Sequence, residues 1–223
     1  MSSLQAADFC FVALDPAGQA FELEIVPSDD RAKQYFQTVW QRMSGAVENF
    51  HKLSDSPPPS WAAWTPWKWC EDKRADYAAR QKYVAWSGHH LVGFLNVWPD
   101  FPSIHQSDTP CLYIEHLAAA PGNLNTQLWL RKFEHVGIAL LAFSVLLSHQ
   151  SGSGGRVALH VGDESVLNFY RRVSDKIGGS LFFPEQTGVT GPTPHGVHGD
   201  SERVYLEMTD EGATRLLEEY RRA

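Results

Sequence analysis

The sequence predicts an α/β fold with a mixed sheet, and three observations lead to that prediction. Two short segments, Cys111–Pro121 and Gly155–Val161, have the nearly continuous apolar character of strands buried on both faces. Between them, the long apolar segment His135–Leu147 predicts the helix that connects two parallel strands. Earlier in the chain, paired apolar segments around turn residues predict antiparallel hairpins. A βαβ unit beside hairpins gives a mixed sheet.

The N-terminal part predicts a hairpin followed by a helix. Phe9–Leu14 and Ala20–Val26 alternate in polarity around an Asp-Pro-Ala-Gly turn. Asp29 or Asp30 is a suitable N-cap for a helix from about Arg31 to His51, whose apolar residues recur at helical spacing.

The middle of the chain predicts a loop, a helical region and a second hairpin. Ser54–Ser60 contains three prolines, which exclude a continuous helix. Trp61–Arg80 predicts a second helical region, interrupted near its proline. Lys82–Trp86 and Leu91–Trp98 flank a Ser-Gly-His-His turn and form the hairpin, and the polar loop Pro99–Pro110 leads into the βαβ unit.

After the second strand of that unit the pattern continues to alternate between helix and strand. A short helix at Glu164–Arg172 precedes a strand near Ser180–Phe183. Gln186–Asp200 is rich in Gly, Pro and His and predicts a long loop or lid. A strand at Val204–Met208 and an amphipathic helix at Asp210–Arg222 complete the pattern.

Composition limits the classes of function. The 223 residues carry a net charge of −7 with 43% hydrophobic and 20% charged residues, so we expect one soluble domain over residues 1–223 and no nucleic-acid partner. The N-terminus lacks the pattern of a signal peptide, and the longest apolar run is too short to span a bilayer. Three scattered cysteines, Cys10, Cys70 and Cys111, fit a reducing compartment, and we expect a cytoplasmic protein.

Neither a metal site nor a hydrolase triad is predicted. Among the ten histidines, His89 with His90 and His195 with His198 lie in turns or loops without an acidic residue at ligand spacing. No Ser-His-Asp or Cys-His pattern surrounds a strand-to-helix turn. By contrast, the start of the helix in the βαβ unit suits an anionic ligand, because free N–H groups and the positive end of the helix dipole meet there.

Three segments of the βαβ unit resemble the motifs of one known family. The first strand fits Ile/Val-x-x-Leu-x-Val-x-Pro, the helix start fits the phosphate loop Arg/Gln-x-x-Gly-x-Gly/Ala, and the following helix contains a Phe-Tyr pair. The matching residues are Ile114, Leu117, Ala119 and Pro121 in the strand, Lys132, His135, Gly137 and Ala139–Leu141 in the loop, and Phe169–Arg172 in the helix. In order and residue type they resemble the GCN5-related N-acetyltransferases, the GNAT superfamily. The order of elements over nearly the whole chain is similar to that fold, whose mixed sheet is mostly antiparallel.

The sequence departs from the family pattern in three places. Some eight extra residues separate Pro121 from the phosphate loop. His135 stands where the family has a glycine. Ser174–Gly179 replaces the Gly-Phe that normally follows the tyrosine helix.

The resemblance implies an N-acetyltransferase that moves an acetyl group from acetyl-CoA, its co-substrate, to a primary amine by direct attack. It also implies which residues hold the coenzyme. The backbone of the first strand would splay from the next strand and bind the pantetheine arm, with the Ala119 amide facing the developing oxyanion, and the helix start would bind the phosphates. The implied coenzyme residues are Leu117, Ala119, Lys132, Val136, Gly137 and Ile138. Alternatively, Asn125–His149 is one continuous amphipathic helix with a tolerated glycine.

Two side chains are candidates for acid–base catalysis. Tyr170 matches the family tyrosine that lies beside the coenzyme sulfur and would protonate the departing thiolate; alternatively, it is a core tyrosine. Glu115 lies inside an apolar strand, where a carboxylate is costly unless it is paired or functional. It would act as the base, or form a salt bridge with an arginine such as Arg156 or Arg171. Strict alternation along the strand places Glu115 on one face, together with Tyr113, Leu117 and Ala119. The opposite face then carries Ile114, His116 and Ala118.

The acceptor remains open among polyamines, aminoglycosides, amino acids and protein amines, and so does homodimerisation. The Trp61–Trp69 cluster either stacks on a substrate or packs in the core. A rival interpretation is a catalytically weak or inactive module with the same fold, which binds coenzyme A or a protein partner. The lengthened loop and His135 favour that rival, whereas Tyr170 and the intact strand favour the enzyme.

Overall fold

A mixed sheet with helices on both faces forms the molecule. The computed structural model describes residues 5–56, 80–106, 108–123, 133–187, 189 and 203–221. Its strands are β1 (Val12–Leu14), β2 (Ala20–Glu22), β3 (Glu24–Pro27), β4 (Gln81–Ser87), β5 (His90–Pro102), β6 (Pro110–Ala119), β7 (Val157–Val161), β8 (Gln186–Thr187) and β9 (Val204–Glu207). Its α-helices are α1 (Asp30–Tyr35), α2 (Gln41–Leu53), α3 (Val136–Gln150), α4 (Glu164–Ile177) and α5 (Asp210–Glu218).

The sheet has the order β3-β4-β5-β6-β7-β9-β8, and β1 pairs with β2 in a separate hairpin. Among the strands of the described ranges, β6 and β7 are the one parallel pair, and all other neighbours are antiparallel. Helix α3 connects β6 to β7, as parallel strands require. The predicted mixed, mostly antiparallel sheet with a central βαβ unit is therefore confirmed.

The N-terminal hairpin and helix form as their sequences predict. The Asp15 carboxylate accepts hydrogen bonds from the Ala17 and Gln19 amides and closes the turn between β1 and β2. Asp29 caps α1 by accepting from the Ala32 amide at 2.9 Å. Helices α1 and α2 continue into each other through one π-helical turn, Phe36–Trp40, which packs on the sheet.

Helix α3 is the centre of the larger core. Its apolar residues are buried on nearly all sides, with the strands on one side and the N-terminal hairpin, α4 and α5 around it. It lies very close to β5 at Gly93, where a Cβ atom would come within 2.8 Å of Leu140 Cδ1. The predicted apolar crossover helix is therefore confirmed, whereas the amphipathic character of the alternative is wrong, because a helix enclosed on all sides has no polar face.

Other elements differ from the prediction in length. Strand β5 continues beyond Trp98 to Pro102 by pairing with the start of β6, so part of the predicted loop is strand. The strand predicted near Ser180–Phe183 is reduced to one bridge, between Phe182 and Met208. The Trp61–Trp69 cluster and most of the predicted helical region around it lie outside the described residues.

None of the helices in the described residues has the length and apolar character needed to cross a bilayer.

Candidate functional site

Strands β6 and β7 separate in the middle of the sheet. Their pairing consists of Leu112 with Val157, Tyr113 with Ala158, and Ile114 with Leu159. Beyond this point each strand continues with its other neighbour, β6 with β5 as far as Ala119 and β7 with β9 as far as Val161. The register of β6 and β7 therefore ends at Ile114, and from Glu115 onward one edge of β6 faces an opening.

A one-residue bulge lies at this opening. Asn96 of β5 pairs with His116, and the next residue, Val97, pairs with Ile114, so Glu115 is the extra residue of β6. The bulge interrupts the alternation of side chains. Leu117 and Ala119 consequently pack against the α3 core, on the same face as Leu112 and Ile114 and not on that of Tyr113. The faces predicted from strict alternation are wrong for this reason.

Helix α3 begins beside the opening. Its first residues are Val136, Gly137 and Ile138, whose amides precede the first intrahelical bond, from Ala139 to the His135 carbonyl at 3.0 Å. His135 has φ +65°, a left-handed conformation that glycine adopts at no steric cost. Glu134, just before it, forms a strand-like bridge to Leu14. The alternative of one continuous helix from Asn125 is therefore wrong.

Three elements meet at the start of α3. A Cβ atom on Gly137 would lie 3.1 Å from Cζ of Phe169 on α4 and 3.8 Å from Cδ2 of Leu117 on β6. Phe169 is thus the residue whose side chain lies nearest to a Cβ atom on Gly137. In the sequence analysis it was only part of a motif. The predicted coenzyme residues Leu117, Gly137 and their neighbours come together here, whereas Lys132 lies outside the described residues.

Tyr170, the neighbour of Phe169 on α4, is buried in the core. Its ring packs edge-on against Phe182 and belongs to the main core. It also lines a cavity of about 340 Å³ between α4 and the segment before β8, together with Leu167, Ser174 and Leu206. Burial raises the pKa of Tyr170 above its ordinary value. Its hydroxyl has no hydrogen-bond partner among the residues that the structure describes.

Glu115 is enclosed and paired. Its carboxylate lies 3.0 Å from Nε of Arg80, and both side chains are nearly inaccessible to solvent. Asn96 Nδ2 donates to the same carboxylate oxygen at 2.8 Å. The guanidinium of Arg80 lies over the Trp98 ring at 5.6 Å.

The partner of Glu115 is thus neither of the arginines considered from the sequence. Arg156 pairs with Asp210 and Glu207, and Arg171 pairs with Glu164 and Glu185. The sequence prediction missed Arg80 and Asn96, because each lies far from Glu115 along the chain and neither follows a motif.

The face of β6 opposite α3 carries a polar and aromatic cluster. It includes Tyr113, whose hydroxyl lies 2.9 Å from Nδ1 of His160 on β7. The Tyr113 ring stacks on Phe101 of β5, and the His160 ring lies near Tyr205 of β9. In the described ranges, no three His, Cys, Asp or Glu side chains are grouped so that they could hold a metal ion.

Comparison with known proteins supports the fold. No family model matches the chain, and no curated protein matches its sequence. Among solved structures, RimJ from Mycobacterium smegmatis, in complex with CoA-disulfide, superposes with a TM-score of 0.50 and 18% identity, covering 95% of this chain and 94% of RimJ.

The chain has the GNAT fold.

Two other solved structures superpose with lower TM-scores. An acetyltransferase from Streptococcus agalactiae has a TM-score of 0.48 and 11% identity, over 83% of this chain and 97% of its own. A GNAT family acetyltransferase from Elizabethkingia anophelis, with acetyl-CoA bound, has a TM-score of 0.43 and 15% identity, over 83% and 97%.

Proposed function

We propose that the protein is an acetyl-CoA-dependent N-acetyltransferase that acts on a primary amine. The observation that carries the proposal is the separation of β6 from β7 beside the first turn of α3. At such an opening, backbone groups on the strand edge can form hydrogen bonds with an extended ligand that contains amides. The free amides at the start of the helix can bind the anionic end of the same ligand. Coenzyme A combines these two chemistries in one molecule.

The coenzyme would lie along the free edge of β6. The backbone of Leu117 to Ala119 would bind its pantetheine amides, and the amide of Ala119 would donate to the oxygen of the thioester carbonyl as negative charge develops. The amides of Val136, Gly137 and Ile138, with Lys132 before them, would bind the phosphates.

The reaction itself needs a nucleophilic nitrogen and a protonated leaving group. The nitrogen attacks the thioester carbonyl carbon, the carbon–sulfur bond breaks, and the thiolate receives a proton. Tyr170 is the proposed proton donor. Burial keeps its phenol protonated at neutral pH, as a donor requires.

Glu115 is the candidate general base. Its role as the base stays a prediction, and the buried Arg80 beside it is a counter-argument, because protonation of Glu115 would leave that guanidinium without its carboxylate.

A second candidate is a GNAT-fold module that binds coenzyme A, or a protein partner, without transferring the acetyl group. Two observations favour it. His135 holds a left-handed conformation with a bulky side chain at the phosphate entry. The ring of Phe169 occupies space next to Gly137.

Titration calorimetry with acetyl-CoA tests the proposal. We expect saturable binding, weakened by Lys132→Glu because the substitution places an anion beside the phosphates. The matched control is Lys52→Glu, at the exposed end of α2, which should leave the affinity unchanged. Absence of binding at millimolar acetyl-CoA would refute the proposal; binding without transfer to any amine would favour the second candidate.

A further inference from the structure

We propose that the cavity between α4 and the segment before β8 is a second binding site, which takes a small uncharged molecule with an apolar body and one hydrogen-bond acceptor. The cavity has a volume of about 340 Å³. Small-molecule sites in proteins have volumes from about 300 Å³ upward, and most are apolar with a few polar groups. The proposal goes beyond the proposed acetyl transfer and does not depend on it.

The cavity is separate from the opening between β6 and β7. Leu117, Gly137 and Phe169, which meet at the start of α3, are not among the described residues that line it. Its walls are α4, the chain that follows α4 as far as Glu185, and Leu206 of β9. Tyr170 lines the cavity and is also the proposed proton donor, so the experiment below measures binding and not turnover.

The inner part of the cavity is apolar. Leu167, Phe182 and Leu206 line it with side chains that are at most 7% exposed. Protein interiors contain few spaces larger than a water molecule, so walls around a space of this size have fewer packing contacts than the rest of the core. A ligand with an apolar body would supply those contacts and would itself leave water.

One polar group lies among these apolar side chains. Tyr170 is 3% exposed, and its hydroxyl has no hydrogen-bond partner among the residues that the structure describes. A buried hydroxyl without a partner costs stability, and most such groups in proteins are therefore hydrogen-bonded. Burial raises the pKa of this phenol, so the hydroxyl stays protonated and can donate. A ligand with an acceptor, such as an amide carbonyl, would satisfy it.

The charged residues of the cavity lie at its exposed rim. Arg171 donates to both carboxylate oxygens of Glu185 at 2.7 Å and to Glu164 at 2.8 Å. Two carboxylates thus compensate its positive charge, and the exposed Asp175 adds a further carboxylate at the rim. An anionic ligand would meet this negative charge, and a cation that entered the apolar interior would lose its hydration. The site therefore favours an uncharged ligand.

Methyl NMR titrations of the full chain test the site, with the methyl groups of Leu167 and Leu206 as reporters. The probes are phenylacetamide, phenylacetate and ethylbenzene, which share a phenyl ring and differ in charge and in hydrogen bonding. We expect phenylacetamide to shift both sets of methyl resonances saturably, with a Kd of about 1 mM for a ligand of this size. Ethylbenzene should bind at the same place more weakly, and phenylacetate about tenfold more weakly than phenylacetamide.

Substitutions separate the hydrogen bond from the apolar space. Tyr170→Phe should weaken phenylacetamide binding roughly fivefold, the effect of one hydrogen bond, and leave ethylbenzene binding unchanged. The matched control is Tyr220→Phe, which changes a buried tyrosine that does not line the cavity and should affect neither probe. Ser174→Leu places an apolar side chain in the cavity and should abolish binding of both probes, whereas Thr214→Leu, at an exposed position on α5, should not.

Three results would overturn the proposal or a part of it. If phenylacetamide, up to its solubility limit, causes no saturable shift at Leu167 and Leu206, the cavity is a site for water only. Equal loss of affinity for phenylacetamide and ethylbenzene in Tyr170→Phe would remove the role of the hydroxyl. Tightest binding of phenylacetate would contradict the uncharged ligand class. Because no measurement uses acetyl-CoA, a failure here leaves the proposed acetyl transfer standing, and a failure of acetyl-CoA to bind leaves this site standing.

Discussion

At the scale of single residues, burial determines which groups can exchange protons. Tyr170 is enclosed by the core, and its pKa is raised because the phenolate would be desolvated. A phenol of this kind stays protonated over the pH range in which acetyl transfer takes place. A raised pKa is compatible with the proposed role as a proton donor and not with a role as a base.

We predict that Tyr170→Phe lowers kcat by at least about tenfold and changes the Kd for acetyl-CoA little, because the proposed role of the hydroxyl is confined to the step in which the thiolate leaves. The matched control is Tyr220→Phe, which changes another buried tyrosine whose pKa is also raised, next to Phe11. Steady-state kinetics and calorimetry on both variants provide the comparison. Parental kcat in Tyr170→Phe would leave Tyr170 as a core residue only.

At the scale of elements, the start of α3 combines a proposed coenzyme-binding position with a strained one. His135 is one of three non-glycine residues with positive φ in the described ranges. Its imidazole Nε2 lies 3.1 Å from Nζ of Lys176 on α4, an exposed contact that holds a lysine near the helix start. A family glycine at this position would have neither the strain nor the contact.

We predict that His135→Gly raises the free energy of unfolding by about 1 kcal/mol relative to His135→Ala, because alanine keeps the Cβ atom that disfavours a left-handed residue. Both variants lose the imidazole, so their difference isolates the backbone effect. His135→Gly should also bind acetyl-CoA more tightly than the parent. Urea denaturation and calorimetry measure the two effects; equal stability of the two variants would contradict the strain.

Elements were predictable where local pattern determines them. The caps, turns and apolar segments of β4, β5, β6, α3 and β7 depend on neighbouring residues, and the predicted elements agree with the structure in type and order. The faces of β6 were not predictable, because the bulge at Glu115 arises from register with β5 and leaves no signal in a single strand. The Arg80–Glu115 pair was hidden for a similar reason, since the sheet alone brings the two residues together.

At the scale of the whole molecule, one buried carboxylate joins distant parts of the chain. Glu207 on β9 is fully buried, accepts hydrogen bonds from the Ser103 and Tyr205 hydroxyls and the Ile104 amide, and lies 3.7 Å from Nε of Arg156. It thereby connects the β5–β6 loop, β9 and the start of β7. This network lies apart from the α3 start.

We predict that Glu207→Gln destabilises the protein by roughly 3–5 kcal/mol, because it removes the charge beside buried Arg156 and places an amide donor among donors. Glu218→Gln, an exposed glutamate on α5, is the control and should have parental stability. Urea denaturation gives the comparison. At temperatures where the variant is folded, acetyl-CoA affinity should be parental; a variant as stable as the parent would show that the network contributes little.

The separation of β6 from β7 also has a consequence for folding kinetics. Strands β4, β5 and β6 follow one another with short connections and can pair early. Strand β7 is separated from β6 along the chain by all of α3, so their pairing is non-local and has a larger entropy cost of loop closure. We expect this three-residue parallel pairing to form late and, in native-state hydrogen exchange, to open before the β4–β5–β6 meander does. A ligand bound between β6 and β7 would slow the local unfolding of their pairing. Increased protection of the Leu112, Tyr113 and Ile114 amides from exchange would therefore report its binding.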